Sequence, residues 1–448
     1  MRKYIGDKSF YLKSARIAIP LSIQQMLGSM QAIIDTIMVT WINKVTAVGT
    51  AAQLDTLCNM VAYGMIGGVN MFAAQFYGAN DERNLKKSFG LSLILSLANA
   101  FVWFLLASVW GEQILRFYLN DNAIIPDALS YLKIMKYSLV IGAVNFCFSY
   151  MYRSCQKAKL ALYTSLLTTI MNVLFNAIFI FGLKMSVTGA ALGTLLAQSI
   201  TAVYLVVYAY YSKQPFVGSF EEMFNVKLTF VKPIVNKIVP LIVNETLFGF
   251  GTTLFIKAFG ELGTQSMDAY YVSNQIFNVF LFVVYGYGAA VQVLLGERLG
   301  RKEIDIAKEE CNYHLGLSFI MSVILVVLII VLAKPMVAIF ALQDEAVNSL
   351  AISLVYVLAI KISMRLFNFI IFSILRSGGD TKVIQFLDSG LLYLVGLPLA
   401  FICVYMLDIK NITLVLLITQ LEQLVRLVLG MKRVNTNIWA KDITKIVQ

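Results

Sequence analysis

Twelve long apolar runs decide what this chain can become. They fall at residues 17–40, 48–76, 89–110, 131–152, 160–183, 189–211, 238–262, 267–296, 313–333, 348–375, 383–407 and 411–431. Each is long enough to cross about 30 Å of hydrocarbon as a helix. Lipid offers no partner to a backbone N–H or C=O, so a spanning segment must be a helix or a strand of a closed barrel. Barrel strands alternate apolar and polar residues over short segments, whereas these runs are continuous. The expected fold is therefore all-α: a polytopic membrane protein with twelve transmembrane helices.

Composition agrees. With 59% hydrophobic and 14% charged residues in 448, the chain has too little polar sequence to clothe a soluble protein, for which about 25% charged is ordinary. Disorder is excluded by the same hydrophobicity. Five scattered cysteines are an odd number and give no disulfide framework. The net charge of +11 is informative through its placement. Counting alternate loops from the N-terminus gives 25 Lys and Arg, against six in the intervening loops. By the positive-inside rule both termini are expected in the cytoplasm. The basic excess is then a topology signal, and no nucleic-acid partner is expected. The basic stretch Met1–Arg16 leads into a run too long for a signal-peptide core, so no cleavable leader is expected.

The two halves repeat at an offset of about 220 residues. Ile-Ala-Ile-Pro20-Leu-Ser-Ile-Gln-Gln25 matches Lys-Ile-Val-Pro240-Leu-Ile-Val-Asn-Glu245, and Tyr77-Gly78 matches Leu299-Gly300. Arg153-Ser-Cys-Gln-Lys-Ala-Lys159 matches Arg376-Ser-Gly-Gly-Asp-Thr-Lys382. Six helices per repeat is an even number, so both halves enter the membrane in the same sense. The expected architecture is two six-helix lobes related by a pseudo-twofold axis along the membrane normal, a transporter plan. The expected domains are an N-lobe over 1–211, a linker over 212–236, a C-lobe over 237–431 and a cytoplasmic tail over 432–448. Phe220, Phe224, Leu228 and Val231 interleaved with Lys227 and Lys232 make the linker a candidate interfacial helix.

Several stretches carry a family resemblance: Pro20 with Ile34-Asp35-Thr36, Ala74-Gln75-Phe76-Tyr77-Gly78-Ala79, Asn172-Val-Leu-Phe-Asn176 with Ile180-Phe-Gly182, Pro240 to Asn244-Glu245, Gly296-Glu-Arg-Leu-Gly300, and Leu375-Arg-Ser-Gly-Gly-Asp-Thr-Lys382. In this order, over nearly the whole length, the chain resembles the bacterial type of the multidrug and toxic compound extrusion (MATE) family. The resemblance implies cation-coupled export of organic, often cationic compounds through a V-shaped cavity between two lobes. It makes Asp35 the proton- or sodium-binding acid of the first lobe and matches Glu245 to the second lobe's glutamate. Many relatives carry an aspartate where this chain has Asn176, and an amide takes no proton.

Polar residues inside the runs are the remaining signal, because a charge at mid-bilayer costs about 2.5–3.5 kcal/mol even on the lenient insertion scale. Gln24, Gly28, Gln31 and Asp35 are spaced four, three and four apart and share one helix face. Asn172 and Asn176 share another; with Asp35 they are the expected Na⁺ ligands if Na⁺ couples, through carboxylate and amide oxygens. As a plain helix–helix tie the asparagines need no ion. Glu245 is expected to pair with Arg365 or Lys361, either as a switch or as a static bridge. Asn244, Asn274, Asn278, Tyr285 and Asn368, with Gln24 and Gln31, are the expected substrate-cavity residues. Asp388 is a minor candidate, Glu422 and Arg426 are expected to satisfy each other at i, i+4, and His314 is expected to be structural. Val284-Tyr-Gly-Tyr-Gly288 superficially resembles a potassium filter, but it lies inside an apolar run.

No Gly-x-x-x-x-Gly-Lys-Ser/Thr loop occurs, so no nucleotide is expected, and neither hydrolase nor zinc motifs point to an enzyme. No cofactor is expected beyond the coupling ion, H⁺ or Na⁺. The reading is a monomeric secondary antiporter of a bacterial cytoplasmic membrane, whose partners are a small organic substrate and the lipid bilayer. A lipid-linked oligosaccharide or lipid flippase of the same superfamily is the alternative, with a channel and a membrane-embedded enzyme more remote.

Overall fold

The computed structural model describes residues 2–42, 44–118, 123–340, 342 and 344–446, and among these there is no strand. Among the described residues, twelve helices are long and apolar enough to span a bilayer. They are α1 Lys8–Thr40, α2 Thr46–Gly78, α3 Glu82–Val109, α4 Ile125–Ser154, α5 Ala158–Gly182, α6 Ser186–Tyr211, α7 Leu228–Gly260, α8 Gln265–Gly300, α9 Ile304–Ala338, α10 Glu345–Ser377, α11 Thr381–Met406 and α12 Ile412–Asn435. Every apolar run of the sequence therefore corresponds to one helix, with an overhang of at most two residues. Most helices extend past their run at one end or both, because polar residues in the end turns reach water while the backbone continues its ladder. Large apolar side chains such as Phe319, Val323, Val327 and Val331 of α9 stay exposed at four-residue steps. Water would penalise such a stripe, and lipid does not.

The packing forms two compact units. The N unit is Ile23–Ile242 together with the segment from Thr444; the C unit is Val243–Ile443 together with the chain up to Ser22. These bounds redraw the expected lobes, 1–211 and 237–431, because α1 and α7 each change unit part-way along. The first half of α1 packs in the C unit, where a Cβ on Gly286 would lie 2.3 Å from Ser22 Cα, and Lys13 pairs with Glu297 at 3.2 Å. The first half of α7 packs in the N unit, where a Cβ on Gly64 would lie 2.9 Å from Ile242 Cα. Both changes fall just after a proline inside the helix, Pro20 and Pro240. Proline removes one i→i−4 bond and crowds the preceding turn, loosening the helix at that point.

The 212–236 stretch, expected as a linker or an interfacial helix, is neither a loose tether nor one continuous helix. A short helix Phe220–Phe224 is closed by a Ser219/Glu222 capping box, and α7 starts at Leu228, so the apolar stripe is split by Asn225–Lys227. Phe216 is buried against the rings of Phe89 and Tyr152 at 5.0 and 5.1 Å. The expected tail is also packed, although residues 447 and 448 lie outside the described residues. Helix α12 runs to Asn435, and Trp439 is buried with its indole donating to Val434 O at 3.2 Å. Its carbonyl lies where a side chain on Gly378 would go, 1.6 Å from an added Cβ.

Among the described residues, two helices contain π-helical segments. Helix α5 ends in a π-helical segment, Ala177–Gly182, directly after Asn176. Helix α11 contains three, Phe386–Gly390, Leu392–Gly396 and Ile402–Met406, and Asp388 lies in the first. Wide turns of this kind re-aim side chains and gather at functional sites.

Candidate functional site

Each unit holds its own polar centre and cavity. In the N unit, the second half of α1 meets α5. Asn176 Nδ2 donates to Asp35 Oδ1 at 2.8 Å and faces Asn172 Oδ1 at 3.4 Å, and Asn172 Nδ2 donates to Thr194 Oγ1 at 3.1 Å. Both asparagines are buried. Gly193 of α6 permits the approach: a Cβ there would lie 2.1 Å from Asn176 Oδ1. That Oδ1 is buried without a hydrogen-bond donor. The carboxylate of Asp35 is thus held by an amide, with no cation within 4.0 Å among the described residues.

Next to this chain lies a cavity of about 240 Å³ whose wall includes Gln24, Gln31, Asp55, Arg153 and Gln198. Arg153 Nη2 donates to Gln24 Oε1 at 2.9 Å, its guanidinium lying 4.6 Å from the Tyr150 ring centroid. Thr169 donates to Gln31 Oε1 at 3.3 Å. Gln24 and Gln31 therefore face a cavity as expected from their spacing, while Asp35, Asn172 and Asn176 form the bonded chain behind it. Asp55 was not among the expected residues. The signal was present: an acid inside the second apolar run, on the face of Asn59 one turn on.

In the C unit the hub is Asp388, expected only as a minor candidate. Arg426 Nη1 donates to its Oδ1 at 2.6 Å, Asn244 Nδ2 to its Oδ2 at 3.0 Å, and Arg365 Nη1 approaches Oδ1 at 3.5 Å. The π turn loosens the backbone ladder here, and side chains supply the partners. Arg426 Nη2 donates to Asp388 O at 2.8 Å, and Asn244 Oδ1 accepts from Ser389 N at 3.0 Å. Arg426 and Glu422 do pair, as the spacing predicted, but Arg426 serves Asp388 as well.

Two expectations are corrected. Glu245 pairs with Arg376 at 3.7 Å, and neither Arg365 nor Lys361 is its partner. Helix α10 continues to Ser377, so Arg376, eleven residues after Arg365, shares its face three turns on; Arg365 is drawn to Asp388 instead. Asn244 and Asn368 lie outside the walls of both the N-unit and the C-unit cavity. Asn244 bonds Asp388, and Asn368 Nδ2 donates to Gln423 O at 3.1 Å and Oε1 at 3.0 Å.

The C-unit cavity, about 360 Å³, is lined by Asn274, Asn278 and Tyr285 as expected, and also by Lys361, Arg365 and Glu422. Most of its remaining wall is apolar, with the rings of Phe248, Phe255, Phe259, Tyr270 and Phe277 beside aliphatic side chains such as Ile256 and Leu281. The Val284–Gly288 stretch is continuous helix inside α8, which is no filter geometry. His314 is buried, its Nδ1 2.9 Å from the Tyr287 hydroxyl. No three His, Cys, Asp or Glu side chains converge as a metal site among the described residues.

Comparison with known proteins fits this arrangement. The family model MatE matches twice, over residues 20–178 and 240–402, once in each half of the repeated sequence. The chain is 23% identical over 428 residues to multidrug resistance protein MdtK of Edwardsiella ictaluri, covering 90% of this chain and 89% of that protein. It is 23% identical over 338 residues to "Probable multidrug resistance protein YoeA" of Bacillus subtilis, covering 73% of each. A solved structure described as the outward-facing conformation of a multidrug resistance MATE family transporter superposes with a TM-score of 0.86 at 17% identity, over 97% of this chain and 98% of that one. Twelve spanning helices, a doubled pattern and a family match to both halves lead to one conclusion: the chain belongs to the MatE family of multidrug and toxic compound extrusion transporters.

Proposed function

We propose that the chain is a secondary active antiporter of a bacterial cytoplasmic membrane, exporting organic cationic or amphiphilic compounds by alternating access while H⁺ or Na⁺ flows inward. Both termini lie in the cytoplasm, as the loop charges require, and the chain acts as a monomer. The similarity to proteins named for multidrug resistance supports the substrate class.

The observation that carries the coupling is the Asp35–Asn176–Asn172 chain. The Glu245, Asp388 and Glu422 carboxylates each have an arginine beside them, whereas Asp35 has an amide, as Asp55 has in Asn59. A carboxylate without a counter-charge in a membrane helix is costly and is relieved by taking up H⁺ or Na⁺. Asn176 Oδ1, buried with no donor, suits either state. It accepts from a protonated acid once the amide turns over, and it joins the Asp35 and Asn172 oxygens around Na⁺. Asn176 itself takes up no proton, so the acid of this pair is Asp35. Glu245, Lys361 and Arg365 are then the responding charges of the C unit, and Gln24, Gln31, Asn274, Asn278 and Tyr285 meet the substrate. A flippase is not favoured, because the C-unit cavity presents two cations where a lipid pyrophosphate calls for more.

The test is ethidium efflux in proteoliposomes with pH and Na⁺ gradients imposed one at a time. Efflux driven by one of them is expected. Absence of driven efflux under both, for ethidium and a panel of other dyes, would refute antiport.

A further inference from the structure

The C-unit cavity holds a cation that the coupling scheme leaves without a counter-charge. Lys361 lies mid-way along α10, sixteen residues from each end of Glu345–Ser377, which places it near the centre of a span. Its Nζ has no ion-pair partner within 4.0 Å among the described residues; its close neighbour is the Phe277 ring, 5.0 Å to the centroid. The carboxylates nearby are already engaged. Glu422, the one acid on the cavity wall, gives Oε1 to Arg426 and Oε2 to Gln423 Nε2 at 2.8 Å. Asp388 lies outside the wall and is held at 2.6 Å by Arg426. Lys361, Arg365 and Arg426 face Asp388 and Glu422, so the cluster carries one positive charge in excess.

The excess is open to the cavity, since Lys361 and Arg365 both line it. Arg365 approaches Asp388 only at 3.5 Å and donates to the Tyr285 hydroxyl, and its five-donor fork keeps N–H groups for a further acceptor. Phe277 lies against Lys361, and Phe248 and Tyr285 against Arg365; Phe255, Phe259 and Tyr270 stand on the same cavity wall. The volume, about 360 Å³, lies within the ordinary range for small-molecule sites, and an apolar wall with a few converging polar groups is their usual design.

We infer that this cavity binds the singly charged anionic head of an aromatic amphiphile, with Lys361 pairing the head, Arg365 donating to it and the aromatic wall holding the body. One negative charge neutralises the cluster, and a planar ring packs against the aromatic side chains. The inference deepens the transport reading and rests on it only for the step in which a bound anion crosses the membrane. Equilibrium binding therefore tests it separately from gradient-driven efflux. The same head chemistry is offered by a dissolved organic anion and by an anionic lipid headgroup.

The experiment uses the full-length protein in phosphatidylcholine nanodiscs. Binding of 2-naphthalenesulfonate is compared with that of its cationic isostere, 2-naphthyltrimethylammonium. Saturable binding of the sulfonate is expected, weakened about tenfold or more in Lys361→Met and kept within about threefold in Lys361→Arg. Loss of sulfonate affinity when phosphatidylglycerol is added supports the anion site with lipid as its occupant; unchanged affinity supports it with the dissolved anion. Displacement of bound sulfonate by the ammonium isostere as effectively as by unlabelled sulfonate, in the unaltered protein, overturns the inference without recourse to a variant, as does a well-folded Lys361→Met protein that binds the sulfonate normally. If sulfonate binding holds while no gradient drives efflux of any compound, the antiport reading fails and this one stands.

Discussion

Replacing Arg426 by Met probes the C unit where its stored electrostatics are greatest. Arg426 is fully buried and makes three contacts: Asp388 Oδ1 at 2.6 Å, Asp388 O at 2.8 Å and Glu422 Oε1. Methionine fills much of the volume but leaves two buried carboxylates short of a cation and one carbonyl of the π turn without its donor. Removing one member of a buried ion pair costs about 3–5 kcal/mol, and an unsatisfied buried acceptor adds about 1–3 kcal/mol. Arg365, already 3.5 Å from Asp388, can swing in and recover part of this, so a net loss of about 3–5 kcal/mol is expected. That is a change of about a hundred- to a few-thousandfold in the unfolding equilibrium. Unfolding in nanodiscs, followed by circular dichroism with increasing denaturing detergent, measures it. The double variant Arg426→Met with Asp388→Asn removes one orphaned charge and should be more stable than Arg426→Met alone. A single variant within about 1 kcal/mol of wild type, or a double variant no better than the single, would refute the hub.

Other predictions concern individual contacts. Gly193→Ala puts a Cβ 2.1 Å from Asn176 Oδ1; the side chain must move off Asp35, costing about 1–3 kcal/mol and lowering driven efflux, which the ethidium assay reads. In the 212–236 segment, the Ser219 backbone N–H and the Lys86 ammonium hold Glu222 below the usual carboxylate range. With a depressed folded pKa, its contribution to the cap is present at neutral pH and is lost as pH falls through that value. Hydrogen exchange corrected for the intrinsic pH effect should therefore show the 219–222 amides losing protection in acid. Glu222→Gln should remove this pH dependence.

The number and placement of the helices were legible because lipid leaves the backbone no alternative, so each apolar run had to be a span; their ends were not. The doubling was legible through Pro20 and Pro240, and those prolines mark where α1 and α7 change unit. Which unit each half-helix joins was hidden, since both halves are apolar and lipid imposes no pattern that tells one packing partner from another. In the N unit the periodic face of Gln24, Gln31 and Asp35 came through because α1 is regular there. In the C unit two features escaped periodic reasoning. Asp388 lies in a π turn, where 3.6-residue spacing no longer says which way a side chain points. Arg376 looked like a loop residue because the apolar run ends just before it, although the helix continues. Asp55 was legible and passed over: it is an acid in an apolar run.

The central claim is that Asp35 is the group through which a cation gradient drives export. Its most direct test is the rate of uphill ethidium efflux in proteoliposomes under the driving gradient, for wild type, Asp35→Asn and Asp35→Glu at matched reconstitution. Asp35→Asn, which keeps a partner for Asn176 but takes up no H⁺ and carries no charge for Na⁺, is expected to lose at least about tenfold, while Asp35→Glu keeps part of the rate. Uphill efflux by Asp35→Asn at the wild-type rate would contradict it.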